Sequence, residues 1–191
     1  MTGPFLCVKV YRGRAMSFAA NYEISDLEKQ HLEKIMKRVH EKTKEGILNG
    51  KGPFYAEIYD KDGNFVLGTS NSVMEDKCCV KHAEMNAVMA ACAHYKNFDL
   101  SSYDLSLYVN AEPCIMCLGG IMWSGIKNVY FGVPSCDVER ITGFDEGFKP
   151  HWFDEFKKRG IKVAGNILLE EGSEVLDYYV KSGRIVYKPE R

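Results

Sequence analysis

No stretch of this chain is an apolar run long enough to cross a bilayer. The first 25 residues hold neither a continuous apolar core nor a small-residue cleavage site, so neither a membrane partner nor a secretory leader is expected. A surplus of charge of one sign is also missing: 25 Lys and Arg stand against 26 Asp and Glu, a net charge of −1. A binder dominated by phosphate contacts would carry a basic excess, so nucleic acid is not an expected partner. Proline is sparse, at 6 of 191 residues, and no repeat, low-complexity tract or linker divides the chain. One domain suits that length. The 7 cysteines are odd in number and sit mostly in helix-like or strand-like surroundings. That excludes a secreted disulfide framework and implies a cytoplasmic protein with reduced thiols.

The patterning that is present reads as an α/β domain over residues 23–191, preceded by an N-terminal arm over residues 1–22. Ser25, with Glu28 three positions later, has the spacing of a capping box. Leu32, Ile35, Met36 and Val39 then recur at helical spacing, and Gly46 is the expected stop. Two β-rich runs flank Asp62-Gly63, a hairpin signal. Beyond them the chain alternates: helix "HAEMNAVMAACAHY", strand "DLSLYVNAE", helix "CIMCLGGIMWSG", strand "IKNVYFGV". Past residue 135 a short helix, "HWFDEFKKRG", a strand, "IKVAGNILL", and a last helix, "EEGSEVLDYYVKSG", are expected. This order places helices on the faces of a sheet.

Two short stretches carry chemistry. Cys114 and Cys117 form a C-x-x-C directly after Pro113, a spacing shared by redox pairs and by half of a zinc clip. Their place at a strand-to-helix junction turns both sulfurs toward free backbone N–H groups and a helix dipole, which favour the metal-binding thiolate. The other stretch is "KHAEM". Within a helix, His82 and Glu84 would point to nearly opposite sides. They converge only if His82 stands at the helix entrance in non-helical geometry, with Glu84 in the first turn.

Counting ligands then decides between a structural and a catalytic site. His82, Cys114 and Cys117 make three, and no further Cys or His is spaced to complete a tetrahedron; Cys78 and Cys79 are adjacent to each other and awkwardly placed for it. Structural zinc sites are closed by four protein ligands, whereas catalytic ones hold three and leave a place for water. Two thiolates and a neutral imidazole roughly cancel the charge of Zn2+, which acidifies a bound water, and Glu84 beside it would take the proton. The two stretches therefore make one catalytic site for a single Zn2+ per chain.

H-x-E followed by P-C-x-x-C is the signature of zinc nucleobase deaminases. Through "HAEMNAV" and "LYVNAEPCIMCLGGIMWSG" the chain resembles the cytidine deaminase-like superfamily, in its branch of guanine, cytosine and tRNA adenosine deaminases, over roughly residues 50–150. The resemblance implies a three-layer α/β/α sandwich with a central mixed sheet. It places the first ~45 residues and the tail after Gly165 outside the matching part, and Ile115 stands where proline is common in these motifs.

Likeness to bacterial-type guanine deaminase extends to "GPF" at 52–54, Asn71, Trp123 and "GFDEGF" at 143–148. That implies hydrolysis of guanine to xanthine and ammonia, with Glu84 and Glu146 catalytic. Asn71 would bind the base edge, and Phe54 and Trp123 would wall the pocket. It also implies a homodimer, with an aromatic of the C-terminal segment (Tyr178, Tyr179 or Tyr187) covering an active site. The chemistry is consistent with two carboxyls, since water attack at C2 requires a protonated ring nitrogen and an amine leaving as ammonia. A tRNA adenosine deaminase, gripping RNA through Lys157, Lys158 and Arg159, is the alternative. Guanosine, cytosine or an aminotriazine as substrate, and a zinc-stabilised interaction domain that would not need Glu84, are the others. Cys7, Cys78, Cys79, Cys92 and Cys136 are expected as buried apolar filler.

Overall fold

Ser25 starts a helix as its pattern predicts. In the computed structural model, which describes residues 19–187, helix α1 (Asp26–Leu48) opens with Ser25 in extended geometry and its Oγ accepting from the Glu28 N–H at 3.2 Å. The Glu28 carboxylate is taken by the Tyr22 hydroxyl, at 2.8 Å. Gly46 does not stop the helix. Ile47 completes the buried stripe of Leu32, Ile35, Met36, Val39 and Thr43, and the chain leaves through Gly50 at φ +89°. Burial of that stripe outweighs the one residue of poor helix propensity.

The hairpin joins β2 (Tyr55–Tyr59) to β3 (Phe65–Ser70), with Asp60 Oδ1 accepting from the N–H groups of Asp62 and Asn64, both at 2.9 Å, and Gly63 at φ +80°. A short helix α2 (Val73–Asp76) leads to α3 (Ala83–Tyr95). Strand β4 (Ser106–Ala111), helix α4 (Ile115–Ser124) and strand β5 (Asn128–Val133) follow. Helices α5 (Ser135–Thr142) and α6 (Trp152–Lys158) precede β6 (Lys162–Gly165) and α7 (Leu169–Lys181). Helix α5 has no counterpart in the sequence reading.

Strand order is β1-β6-β5-β4-β2-β3, where β1 is Ala19–Ala20. The pairs β4–β5 and β5–β6 are parallel, while β2 runs antiparallel to both β3 and β4, and β1 to β6. The expected arm over 1–22 lies outside the described residues up to residue 18. Its last four residues are built into the fold: Ala19 and Ala20 pair with β6, the Asn21 amide bonds the Ile161 carbonyl, and Tyr22 joins the α1 side of the core.

Alternation along the central strands makes two apolar faces. Leu107, Val109, Val129 and Phe131 pack with Ala87, Leu118 and Ile121 of α3 and α4. Tyr108 and Tyr130 turn the other way, onto Leu32, Met36 and Val39 of α1. The expected three-layer α/β/α sandwich with a central mixed sheet is the observed architecture. Fully burying side chains such as Leu107 and Phe131 is worth about 1.5–3 kcal/mol each. The rigid platform that results leaves the helix entrances of α3 and α4 at one edge, beyond the carboxyl end of β4.

Candidate active site

His82 and Cys114 occupy equivalent positions. Each precedes a helix in extended geometry, His82 at φ −67°, ψ 158° and Cys114 at φ −66°, ψ 169°. Glu84 and Cys117 therefore fall in the first turns of α3 and α4. Local bonds hold the His82 entrance: the Asn86 amide donates to the Ser70 carbonyl at 2.9 Å and to Ser72 Oγ at 3.0 Å, and Thr69 Oγ1 donates to the Ala83 carbonyl at 2.8 Å. The Met85 thioether packs against position 120 of α4, a glycine, in the space that a Cβ would take.

The three candidate ligands meet. His82 Nδ1 lies 3.5 Å from Cys114 Sγ and 3.7 Å from Cys117 Sγ, and all three donor atoms fall within 4.8 Å of one another. Tetrahedral zinc, with bonds of about 2.3 Å to sulfur and about 2.0–2.1 Å to nitrogen, puts a sulfur and a nitrogen about 3.5 Å apart. The donor set and its spacing fit Zn2+. Proton sharing within the set points the same way. Bonds from Cys117 and His82 draw the Cys114 thiol down to about 4, while the same shared bond and burial push Cys117 up. A cation would replace the shared protons and hold both sulfurs as thiolates.

A cavity of about 510 Å3 opens over these groups, and Glu84 and Glu146 both line it. Both carboxyls are buried, at 6% and 7% exposure. Burial, then the neighbouring Cys114, pushes Glu84 up to about 7. Burial also raises Glu146 well above the carboxylate range; Lys149 opposes this, while Cys114, Glu84 and Glu112 add to it. Two buried carboxyls that resist ionisation can each carry a proton near neutral pH.

Phe54 lines the cavity, edge-on to Phe144 with ring centroids 5.2 Å apart. Asn71 lies beneath the wall instead of in it: its Nδ2 donates to the Tyr187 hydroxyl at 2.7 Å and its Oδ1 accepts from the Val73 N–H at 3.1 Å. Trp123 does not wall the pocket. It is 84% exposed, because Leu118 and Ile121 take the inward face of α4 and a residue two positions after Ile121 points away. Among the three candidate capping tyrosines, Tyr187 is the one at the cavity, its ring 5.1 Å from Phe144 and 6.3 Å from His82. Tyr179 is on the buried face of α7 and donates to the Ile185 carbonyl at 2.6 Å, and Tyr178, on the same helix, is 38% exposed. Cysteine placement also departs from expectation. Cys78, Cys92 and Cys136 are only partly buried, while exposed Cys79 stands at the cavity; Cys7 lies outside the described residues.

Sequence reasoning missed Phe144, Glu112 and Lys149. Phe144 stood in the quoted "GFDEGF" and Glu112 in "AEPC", so a signal existed for both; none existed for Lys149.

The family model for the cytidine and deoxycytidylate deaminase zinc-binding region matches residues 29–133, more than half of the chain. The chain belongs to this deaminase family. The match begins inside α1, so the first helix is part of the family region and not a segment without counterpart. Among curated deaminases, the guanine deaminase of Bacillus subtilis is 33% identical over 116 residues, 61% of this chain and 72% of that protein. A tRNA-specific adenosine deaminase of Buchnera aphidicola is 30% identical over 137 residues, 71% and 85% of the two chains. In three dimensions the chain resembles a guanine deaminase from Nitrosomonas europaea, with a TM-score of 0.74 and 30% identity over 94% of this chain and 93% of the other. The protein NE0047 bound to 2,6-diaminopurine superposes with a TM-score of 0.77 and 29% identity over 98% and 95%.

Proposed function

We propose that the chain is a zinc-dependent hydrolase of a free purine base, converting guanine and water to xanthine and ammonia. The single observation that carries this reading is the pairing of two buried carboxyls, Glu84 and Glu146, in one cavity with the His82, Cys114, Cys117 donor set. Guanine deaminases among the relatives and structural neighbours support the choice of base.

Zn2+ held by those three side chains would polarise water and lower its pKa. The protein's own groups then manage the protons. Glu84 takes one from the attacking water and delivers it to the ring nitrogen next to C2. As the C2–O bond forms and the C2–N bond breaks, Glu146 supplies the proton that lets the amine leave as ammonia, and it takes one back from the C2 hydroxyl as that oxygen becomes the carbonyl of xanthine. A neutral, buried Glu146 suits that donor role, and a buried Glu84 poised near neutrality suits a base that must also release its proton. Phe54 and Phe144 flank the ring, Tyr187 covers it, and Asn71 acts on the base through the Tyr187 hydroxyl it holds. Covered in this way, the cavity excludes bulk water and strengthens each of these contacts.

An RNA substrate is the second reading, favoured by the adenosine deaminase relatives. Against it, two of the three residues expected to grip RNA, Lys158 and Arg159, already bond the Glu155 carboxylate, both at 2.7 Å. A zinc-stabilised interaction domain would have no use for two buried acids at the metal. We also infer a cytoplasmic homodimer. Ile115 and Trp123 share one face of α4 and Phe148 follows Gly147, which packs on Ile115; all three are exposed, at 52%, 84% and 83%.

Ammonia release by zinc-loaded protein from guanine, guanosine, cytosine, adenine, an aminotriazine and an anticodon stem-loop tests the assignment. Turnover of guanine without the RNA is the expected result, and activity confined to the stem-loop would overturn it.

A further inference from the structure

Glu146 sits on the loop between α5 and α6, and that loop touches the metal-ligand turn at two points. The Glu146 carbonyl accepts the Ile115 N–H at 3.0 Å, one residue past Cys114. Three residues further on, Lys149 Nζ reaches the Pro113 carbonyl at 2.6 Å, one residue before Cys114. The same ammonium contacts the Ser135 hydroxyl and stands 3.2 Å from Glu112 Oε1. Both partners of the ion pair are about nine-tenths buried, at 9% and 10% exposure. Glu112 is otherwise held by the Trp152 indole N–H and the Ser135 backbone N–H, each at 2.9 Å.

A buried lysine with three oxygen acceptors is a costly thing to keep unless it sets geometry, because burying a charge pair is often no more stabilising than an apolar replacement. Nothing in the proposed chemistry uses this ammonium on the substrate. Its partners are instead the two residues preceding Cys114 and the first residue of α5. It thereby spans the strand-to-helix turn that presents the metal ligand and the loop that presents Glu146.

We propose that Lys149 is a positioning residue for the proposed deamination: its ammonium, bound to the Pro113 carbonyl and paired with Glu112, fixes the Glu146 loop against the Cys114 turn. The inference rests on the reading of Glu146 as the proton donor, and its structural part does not. Without Lys149 the loop keeps the Ile115–Glu146 backbone bond to that turn, and Glu112 loses its ion pair beside Glu146 while still accepting the Trp152 and Ser135 N–H groups.

Lys149→Met alone exposes that charge imbalance and would destabilise the fold, so the informative variant is Lys149→Met with Glu112→Gln. Glu112→Gln removes the unpaired charge and keeps one oxygen for the indole N–H, while giving up the acceptor of the Ser135 N–H. Zinc-loaded wild type and double variant are compared by metal content, by thermal unfolding, by hydrogen exchange at the Ile115 amide, and by kcat and KM on guanine. The expected double variant holds its zinc and unfolds near the wild-type temperature. Its Ile115 amide exchanges at least about tenfold faster, because local opening of the loop is easier. Its kcat falls by about 10- to 100-fold, as a misplaced catalytic group commonly causes, with KM little changed. Unchanged Ile115 protection overturns the tether, whatever the enzyme turns over. Faster exchange with wild-type kcat on guanine overturns the positioning role. Faster exchange in a protein whose wild type is inert on guanine supports the tether and refutes the proposed function instead.

Discussion

The amide of Asn71 donates to the hydroxyl of Tyr187 at 2.7 Å, a bond that joins residues 116 apart in the chain. It ties the C-terminal segment down beside His82, and it gives Asn71 a partner other than the substrate. Tyr187→Phe removes the bond and keeps the ring. With the Asn71 donor freed in a position 2% exposed, the segment should loosen, at a cost of about 1–3 kcal/mol for the unsatisfied group. Steady-state assays should show a higher KM for guanine with a smaller change in kcat. An unchanged KM would mean that closure does not depend on this bond.

Removal of a metal ligand acts on fold and activity together. His82→Ala or Cys114→Ala leaves two donors where three now lie within 4.8 Å of one another. Zinc content, measured by elemental analysis, should fall to background, and the thermal midpoint should drop, because binding energy for the metal is folding energy. Chelation of the wild type should shift its midpoint in the same direction, and readdition of zinc should restore it.

Acid sensitivity is expected from a residue far from the chemistry. His40 is 4% exposed, its ring nitrogens make no hydrogen bond of ordinary geometry among the described residues, and Gly132 and Gly172 leave just the room its flat ring needs. Burial pulls it down from 6.5 to about 4, against weaker opposing pulls from the Ile167 carbonyl, Glu171 and the Leu168 carbonyl. The unfolded chain therefore binds a proton between those values that the folded chain does not. Stability is fully present above pH 6.5 and declines as pH falls toward 4, by about 3 kcal/mol in total. Urea unfolding at pH 7.5 and pH 5 should show a larger loss for wild type than for His40→Asn. Equal losses would assign the acid sensitivity to other groups.

Much of this was legible where the signal is local. The Ser25 cap, the Asp62-Gly63 turn and the two helix entrances at His82 and Cys114 depend on neighbours a few residues away, and each lies where its pattern puts it. The Gly46 stop failed because tertiary burial of Ile47 outweighed a local preference. Trp123 was misplaced since an apolar helix with bulky residues on several sides does not declare which of them faces inward. Tyr187 and Lys149 owe their places to contacts across long stretches of chain, 116 residues to Asn71 and 36 to Pro113, and no local pattern marks such a pairing.

The central claim is that Glu84 moves the protons of a hydrolysis carried out on free guanine at the His82, Cys114, Cys117 site. Its most direct measurement is xanthine formation from guanine by wild type and Glu84→Gln at matched zinc content and matched thermal midpoint. The variant should retain metal and fold and lose turnover by about 10²–10⁴-fold, the usual worth of a positioned acid–base group. Guanine turnover at the wild-type rate by zinc-loaded Glu84→Gln would contradict it.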